Sequence, residues 1–179
     1  MSARSALTSA STTVATLALL TGCAYLTDPN HDALRPPDGL STKTHAELLD
    51  ETVQQTNDLV QLLGGEWLDL GLPPSAFDPT DVSAWRNPDP CDMNAVAEQY
   101  SIYISQVKPI EDPLAVIDRV RSHWMSRGYS VDQLGPTETS ELVHVEIGVD
   151  LEHNGVLTFH ANKKGMSIWI SSECVAIEN

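Results

Sequence analysis

From Val143 to Leu151 the chain alternates, with Val143, Val145, Ile147, Val149 and Leu151 set against His144, Glu146, Asp150 and Glu152. A period of two is wrong for a helix and demands a strand with one buried and one wet face. Asn154-Gly155 then signals a hairpin. A two-residue turn there would pair Leu151 with Thr158 and send Leu157 and Phe159 to the polar side, since a one-residue slip flips every side chain. The alternation therefore selects a three-residue loop, His153-Asn154-Gly155, with Gly155 in the left-handed region beside a bulge. Leu151 then faces Leu157, and Val149 faces Phe159. A second turn, Asn162-Lys163-Lys164-Gly165, brings Phe159 opposite Ile168 and Leu157 opposite Ile170. Parity carried past Ser172 places Cys174 on the core face.

This register also defines an outer face, on which Asp150, Thr158 and Trp169 line up across three strands, with His160 beside Ser167 in the next row. An indole next to a carboxylate and hydroxyls is a means of holding sugars or peptides. The competing expectation is that a helix or the proline-rich loop covers Trp169. A metal site built from His144 and His160 is rejected, because His160 falls opposite Gly148 and His144 lies four residues further on, roughly 13 Å at about 3.3 Å per residue.

Upstream, Thr44 and Glu47 form a capping box, and Leu49, Val53, Thr56, Val60 and Leu63 follow at steps of four and three until Gly64-Gly65. That pattern predicts an amphipathic helix whose stripe is a core face. Glu66 to Leu70 is a short strand candidate, followed by a long irregular stretch holding Pro73-Pro74, Asp78-Pro79, Asn87-Pro88 and Asp89-Pro90. Tyr100, Ile102 and Ile104 alternate with Gln99, Ser101, Tyr103 and Ser105, as a half-buried strand does. A second helix starts at Asp112-Pro113, buries Ile117, Val120 and Trp124, and ends at Gly128, with a strand expected over 129–134. If that strand neighbours 99–106 in parallel, the crossover must be right-handed. The predicted fold is α+β, an antiparallel β-meander sheet with about two α-helices packed on one face, in the order α-β-β-α-β-β-β-β.

The N-terminus carries an address. Arg4 precedes an apolar run from Val14 to Leu20, and the run closes on Leu20-Thr21-Gly22-Cys23. This is the pattern of a bacterial lipoprotein signal over residues 1–22, with Cys23 lipidated and turn-rich residues 23–42 as a tether to a single domain over 43–179. The run is too short to span a bilayer, so the alternatives are soluble secretion or an uncleaved N-terminal helix. More than one acyl chain is what stable anchoring takes. Setting Cys23 aside leaves Cys91 and Cys174 of the three cysteines, an even pair expected to form a disulfide in an exported chain; the alternative is two unrelated thiols.

A net charge of −15, with 25 Asp+Glu against 10 Lys+Arg, argues against nucleic acid or an anionic lipid surface as partner. Asp78/Asp81 and Asp89/Asp92 lack calcium-loop spacing and are interrupted by prolines, so they are expected to be solvated turn residues. No nucleophile elbow, zinc-binding helix motif or phosphate-cradling glycine loop occurs. No catalytic residue, metal or cofactor is therefore expected.

Leu20-Thr21-Gly22-Cys23, Glu66-Trp67, Pro90-Cys91, Asp112-Pro113 leading to Arg119-Val120-Arg121-Ser122-His123-Trp124 and Gly128-Tyr129, and Ser172-Glu173-Cys174-Val175 together resemble the small, uncharacterised cell-envelope lipoproteins of high-GC Gram-positive bacteria. The resemblance implies an extracytoplasmic, lipid-anchored localisation and a disulfide, and no activity. The function expected is non-enzymatic binding of a peptide, glycan or protein partner in the envelope. The alternatives are an envelope hydrolase assembled from dispersed residues and a purely structural role.

Overall fold

The computed structural model describes residues 39–69, 73–91, 96–141 and 143–177. The signal, the acylation candidate Cys23 and most of the expected tether lie outside them.

Helix α1 (His45–Leu63) begins where the sequence places it, with the Thr44 side chain accepting from Glu47 N and Thr44 N donating to the Glu47 carboxylate at 2.8 Å. It ends at Gly64 and Gly65, whose φ values of 67° and 83° a side chain would resist. Its buried face is turned slightly from the expected stripe: Leu48, Leu49, Thr52, Val53, Thr56 and Leu59 are buried, whereas Val60 and Leu63 only flank the core. Two threonines can sit in that core because Thr52 Oγ1 donates to Leu48 O at 2.7 Å and Thr56 Oγ1 to Thr52 O at 2.8 Å, leaving neither hydroxyl orphaned.

After α1 come two short strands, β1 (Leu68–Asp69) and β2 (Ser75–Ala76), a 3-10 turn (Val82–Trp85), and β3 (Asp89–Pro90). Then follow β4 (Ala97–Gln99), β5 (Ser101–Gln106), α2 (Pro113–Ser126), β6 (Asp132–Gln133), β7 (Val145–Asp150), β8 (Val156–Asn162), β9 (Gly165–Ser171) and β10 (Val175–Ala176). Seven strands form an antiparallel sheet in the order β2-β1-β5-β9-β8-β7-β6, and three form a smaller one, β10-β4-β3. Helix α1 packs on β9 and β5, and α2 on β8 and β7, which makes the fold α+β with both helices on one face. Ile102, Ile104, Val145, Ile147, Leu157, Phe159, Ile168 and Ile170 are almost wholly buried between sheet and helices. Each such side chain contributes about 1.5–3 kcal/mol relative to exposure.

Three expectations need correction. The strand expected over 129–134 shrinks to β6, an edge strand antiparallel to β7 and not a neighbour of β5, so the condition for a crossover between them is not met. The expected element order omitted the short strands β2, β3, β4 and β10, too short to carry a periodicity, and the single strand expected over 99–106 breaks at Tyr100, with β4 in the smaller sheet and β5 in the larger. The β7/β8 register is shifted by two residues: Val149 faces Leu157 and Ile147 faces Phe159. Leu151 to Gly155 forms a longer connection with a 3-10 turn, in which His153 and Asn154 hold positive φ of 51° and 66°. Gly155 is not left-handed, at φ −68°. A side chain there would be crowded, since a Cβ would lie 3.0 Å from Glu173 N and 3.1 Å from Leu151 Cβ. The β8/β9 register is as expected, with Phe159 opposite Ile168 and Leu157 opposite Ile170.

Candidate functional site

The sheet face turned away from the helices carries rows of side chains. One row runs Ser101, Ser171, Val156, Asp150; the next Tyr103, Trp169, Thr158, Gly148; the third Ser105, Ser167, His160, Glu146. Tyr103 and Trp169 are direct cross-strand partners and stay 48% and 44% exposed.

The proline-rich stretch walls this face without covering Trp169. Its bends are held locally: Asp78 accepts from Thr80 N at 2.8 Å and Thr80 Oγ1 at 2.7 Å, and Asp81 accepts from Ser83 N at 3.2 Å at the start of the 3-10 turn. The Thr80 hydroxyl and amide hold the Asp78 carboxyl below its ordinary value. Trp85 at the end of that turn packs against Phe77 with centroids 6.1 Å apart. Its Nε1 is buried without a hydrogen-bond partner. The stretch then pairs with β4, setting Asp89 opposite Gln99 and Pro90 opposite Glu98. Cys91 is disulfide-bonded to Cys174, with Cα atoms 6.1 Å apart and Cys174 1% exposed. Between wall and sheet lies a groove of about 640 Å³ lined by Asp69, Trp85, Asp89, Gln99, Ser101, Tyr103 and Trp169.

Of the side chains read from sequence as a ligand face, only Trp169 lines this groove. Thr158 is opposite Trp169 but 4% exposed and does not line the groove. Asp150 leaves the Trp169 row, because the two-residue shift sets it opposite Val156 and puts Gly148 opposite Thr158. His160 does pair with Ser167, one row away from the groove. Alternation marks Tyr103 and Gln99 only as the wet side of a strand, and Trp85 and Asp89 sit where no periodicity distinguishes them.

The same shift overturns the separation expected for the histidines. His160 stands opposite Glu146, with Nδ1 3.6 Å from Oε2, and the His144 and His160 ring centroids are 6.3 Å apart, nearly perpendicular. Burial depresses the His160 pKa; Glu146 opposes this and His144 adds to it. The pair borders a smaller hollow of about 210 Å³. Among the described residues, no group of three or more His, Cys, Asp or Glu side chains is placed to hold a metal ion.

The chain enters the domain beside the disulfide. Ser41 N donates to Cys174 O at 2.8 Å, Ser41 Oγ to Glu173 at 2.6 Å, and Lys43 Nζ lies 2.8 Å from both Glu173 and Glu51. Burial alone would raise the Glu173 pKa, but the Lys43 and Ser41 hydrogen bonds outweigh it and hold the carboxyl low. No helix among the described residues is long and apolar enough to cross a membrane.

Compared with known proteins, the chain matches no family model, and neither a curated protein nor a solved structure is significantly similar to it. The candidate site therefore rests on the chemistry of its own residues.

Proposed function

We propose that this chain is an extracytoplasmic binding protein, of the envelope-lipoprotein type, tethered through acylated Cys23 and holding a peptide, glycan or protein segment in the groove without chemistry on it. The supporting observation is the opposed pair Tyr103 and Trp169, which leaves two large aromatic rings at the surface under a wall pinned by the Cys91 to Cys174 bond. Exposed aromatics in a concave site beside hydrogen-bonding and charged groups suit recognition. Peptide and glycan arrays probed with the full-length wild type and Trp169→Ala test the reading. Ligands retained by the first and lost by the second are expected; identical profiles refute it. Intact mass of membrane-extracted wild type and Cys23→Ala tests the anchor, with diacylglycerol expected only on the wild type. An unmodified wild-type Cys23 removes the anchor from the reading.

A second reading has one observation in its favour. Ser167, His160 and Glu146 occupy one cross-strand row, the residue types of a hydrolytic triad, although no hydrogen bond joins Ser167 to His160. A fluorophosphonate probe decides between them: labelling lost in Ser167→Ala establishes a serine hydrolase, and its absence is expected for a binding protein.

A further inference from the structure

The lining of the groove has a composition that selects among ligands. Among the described residues it presents the aromatic rings of Trp85, Tyr103 and Trp169, the carboxylates of Asp69 and Asp89, the Gln99 amide and the hydroxyls of Ser101 and Tyr103, and no lysine, arginine or histidine. Asp89 is exposed and stands opposite Gln99 in β4, the strand of the smaller sheet that leads directly into β5 and Tyr103. Ring faces carry the negative end of the aromatic quadrupole, so a cation above them is attracted by the rings and by the carboxylates together. The chain's net charge of −15 adds a field of the same sign that draws cations and repels anions.

Among biological cations the guanidinium fits best, because it is planar, weakly hydrated, stacks on aromatic faces and offers a carboxylate two parallel N–H donors. The groove, at about 640 Å³, is larger than one guanidinium, and Gln99 and Ser101 add neutral hydrogen-bonding groups of the kind a peptide backbone uses. Resting on the binding reading above, we propose that the groove takes an extended peptide segment of a partner protein through an arginine side chain. The guanidinium stacks against Trp169 and Tyr103 within the field of the groove's carboxylates, Asp89 among them, while the backbone follows Ser101 and Gln99.

The test is calorimetric titration of the full-length protein in detergent with acetyl-Gly-Arg-Gly-amide and its citrulline counterpart, which keeps the shape of arginine and removes the charge. Methylguanidinium and an N-acetylglucosamine trisaccharide form the remaining arms. The arginine peptide is expected to bind at least tenfold tighter than the citrulline peptide and to weaken as salt rises. Trp169→Ala is expected to lower its affinity about tenfold and Asp89→Asn severalfold, with no change in Asp150→Asn, which lies outside the groove. Should Trp169→Ala lose its near-ultraviolet circular dichroism, Tyr103→Leu replaces it. Equal binding of the citrulline peptide overturns the cationic ligand, and methylguanidinium binding as tightly as the peptide overturns the peptide. Trp169-dependent binding of the trisaccharide alone also overturns the inference while leaving the binding reading intact. Binding of the arginine peptide that ignores both aromatic substitutions, or no binding of any probe, overturns the inference outright.

Discussion

Tyr103 stands directly opposite Trp169 across β5 and β9, and both rings project from the sheet face that the helices leave open. On the other side of the same strands Ile102, Ile104, Ile168 and Ile170 are fully buried, so the backbone that presents the aromatics is anchored by the core. The wall across the groove from this platform is held in part by the same core, against which Phe77, Val82 and Trp85 pack, and in part by local turns, a two-residue ladder and one disulfide.

Removing that disulfide is expected to destabilise the domain and to loosen the wall more than the platform. Cys91 and Cys174 are 83 residues apart in sequence. Loop closure over that distance is worth about 4 kcal/mol. Urea unfolding of the oxidised wild type against Cys91→Ser/Cys174→Ser measures the loss. Amide exchange near Trp85 should accelerate more than in β9; equal acceleration would show the wall to be held independently of the bond.

The junction at Glu173 should be acid-sensitive. Its carboxyl is held below the ordinary 4.5 by Lys43 and Ser41 against the effect of burial, so the stabilisation is complete above that value and is lost as pH falls through the lowered pKa. Glu173→Gln is expected to cost about 1–3 kcal/mol at neutral pH. It should also flatten the acid limb of the stability curve and release the Ser41 amide to exchange.

His160 titrates in the opposite sense from a histidine gaining a salt bridge. Burial lowers its pKa from 6.5 despite Glu146, so the unfolded chain binds the proton first. Its contribution to stability is full above pH 6.5 and is lost as pH falls below that value through the depressed pKa. Because His123 is also shifted downward, the test is the His160 ring resonance itself. Glu146→Gln should lower its midpoint further and His144→Ala should raise it; a midpoint above 6.5 in the wild type contradicts the assignment.

Two glycines separate backbone crowding from side-chain crowding. A Cβ at Gly165 would sit 2.5 Å from the Gln106 carbonyl oxygen, a backbone atom, whereas one at Gly148 would meet the flexible end of Leu134 at the same 2.5 Å. Gly165→Ala is expected to cost about 1–3 kcal/mol, the range for overpacking. Gly148→Ala should cost clearly less, because Leu134 is partly exposed and can turn away. Thermal melts of the two variants give the ordering.

Much of the frame was legible in the sequence because it rests on local rules. Thr44 with Glu47, Asp112 with Pro113, and the glycines at 64 and 128 bound the two helices by hydrogen bonding and backbone freedom within a few residues. The alternation of 145–150 and of 101–106 assigned faces, since a strand's side chains take sides by parity alone. Parity also explains the error in register. A shift of two residues leaves every apolar side chain on the same face, so Val149 can face Phe159 or Leu157 without burying a polar group. The observed register goes with the five-residue connection from Leu151 to Gly155, in which His153 and Asn154 take positive φ, a conformation that no periodicity announces. That choice moved Asp150 out of the Trp169 row and brought His144, His160 and Glu146 together. The groove itself was out of reach for the same reason: Tyr103 and Trp169 become neighbours, and Trp85 and Asp89 become their wall, through pairings between segments distant in sequence. Those pairings are decided by the shared core and not by any local pattern.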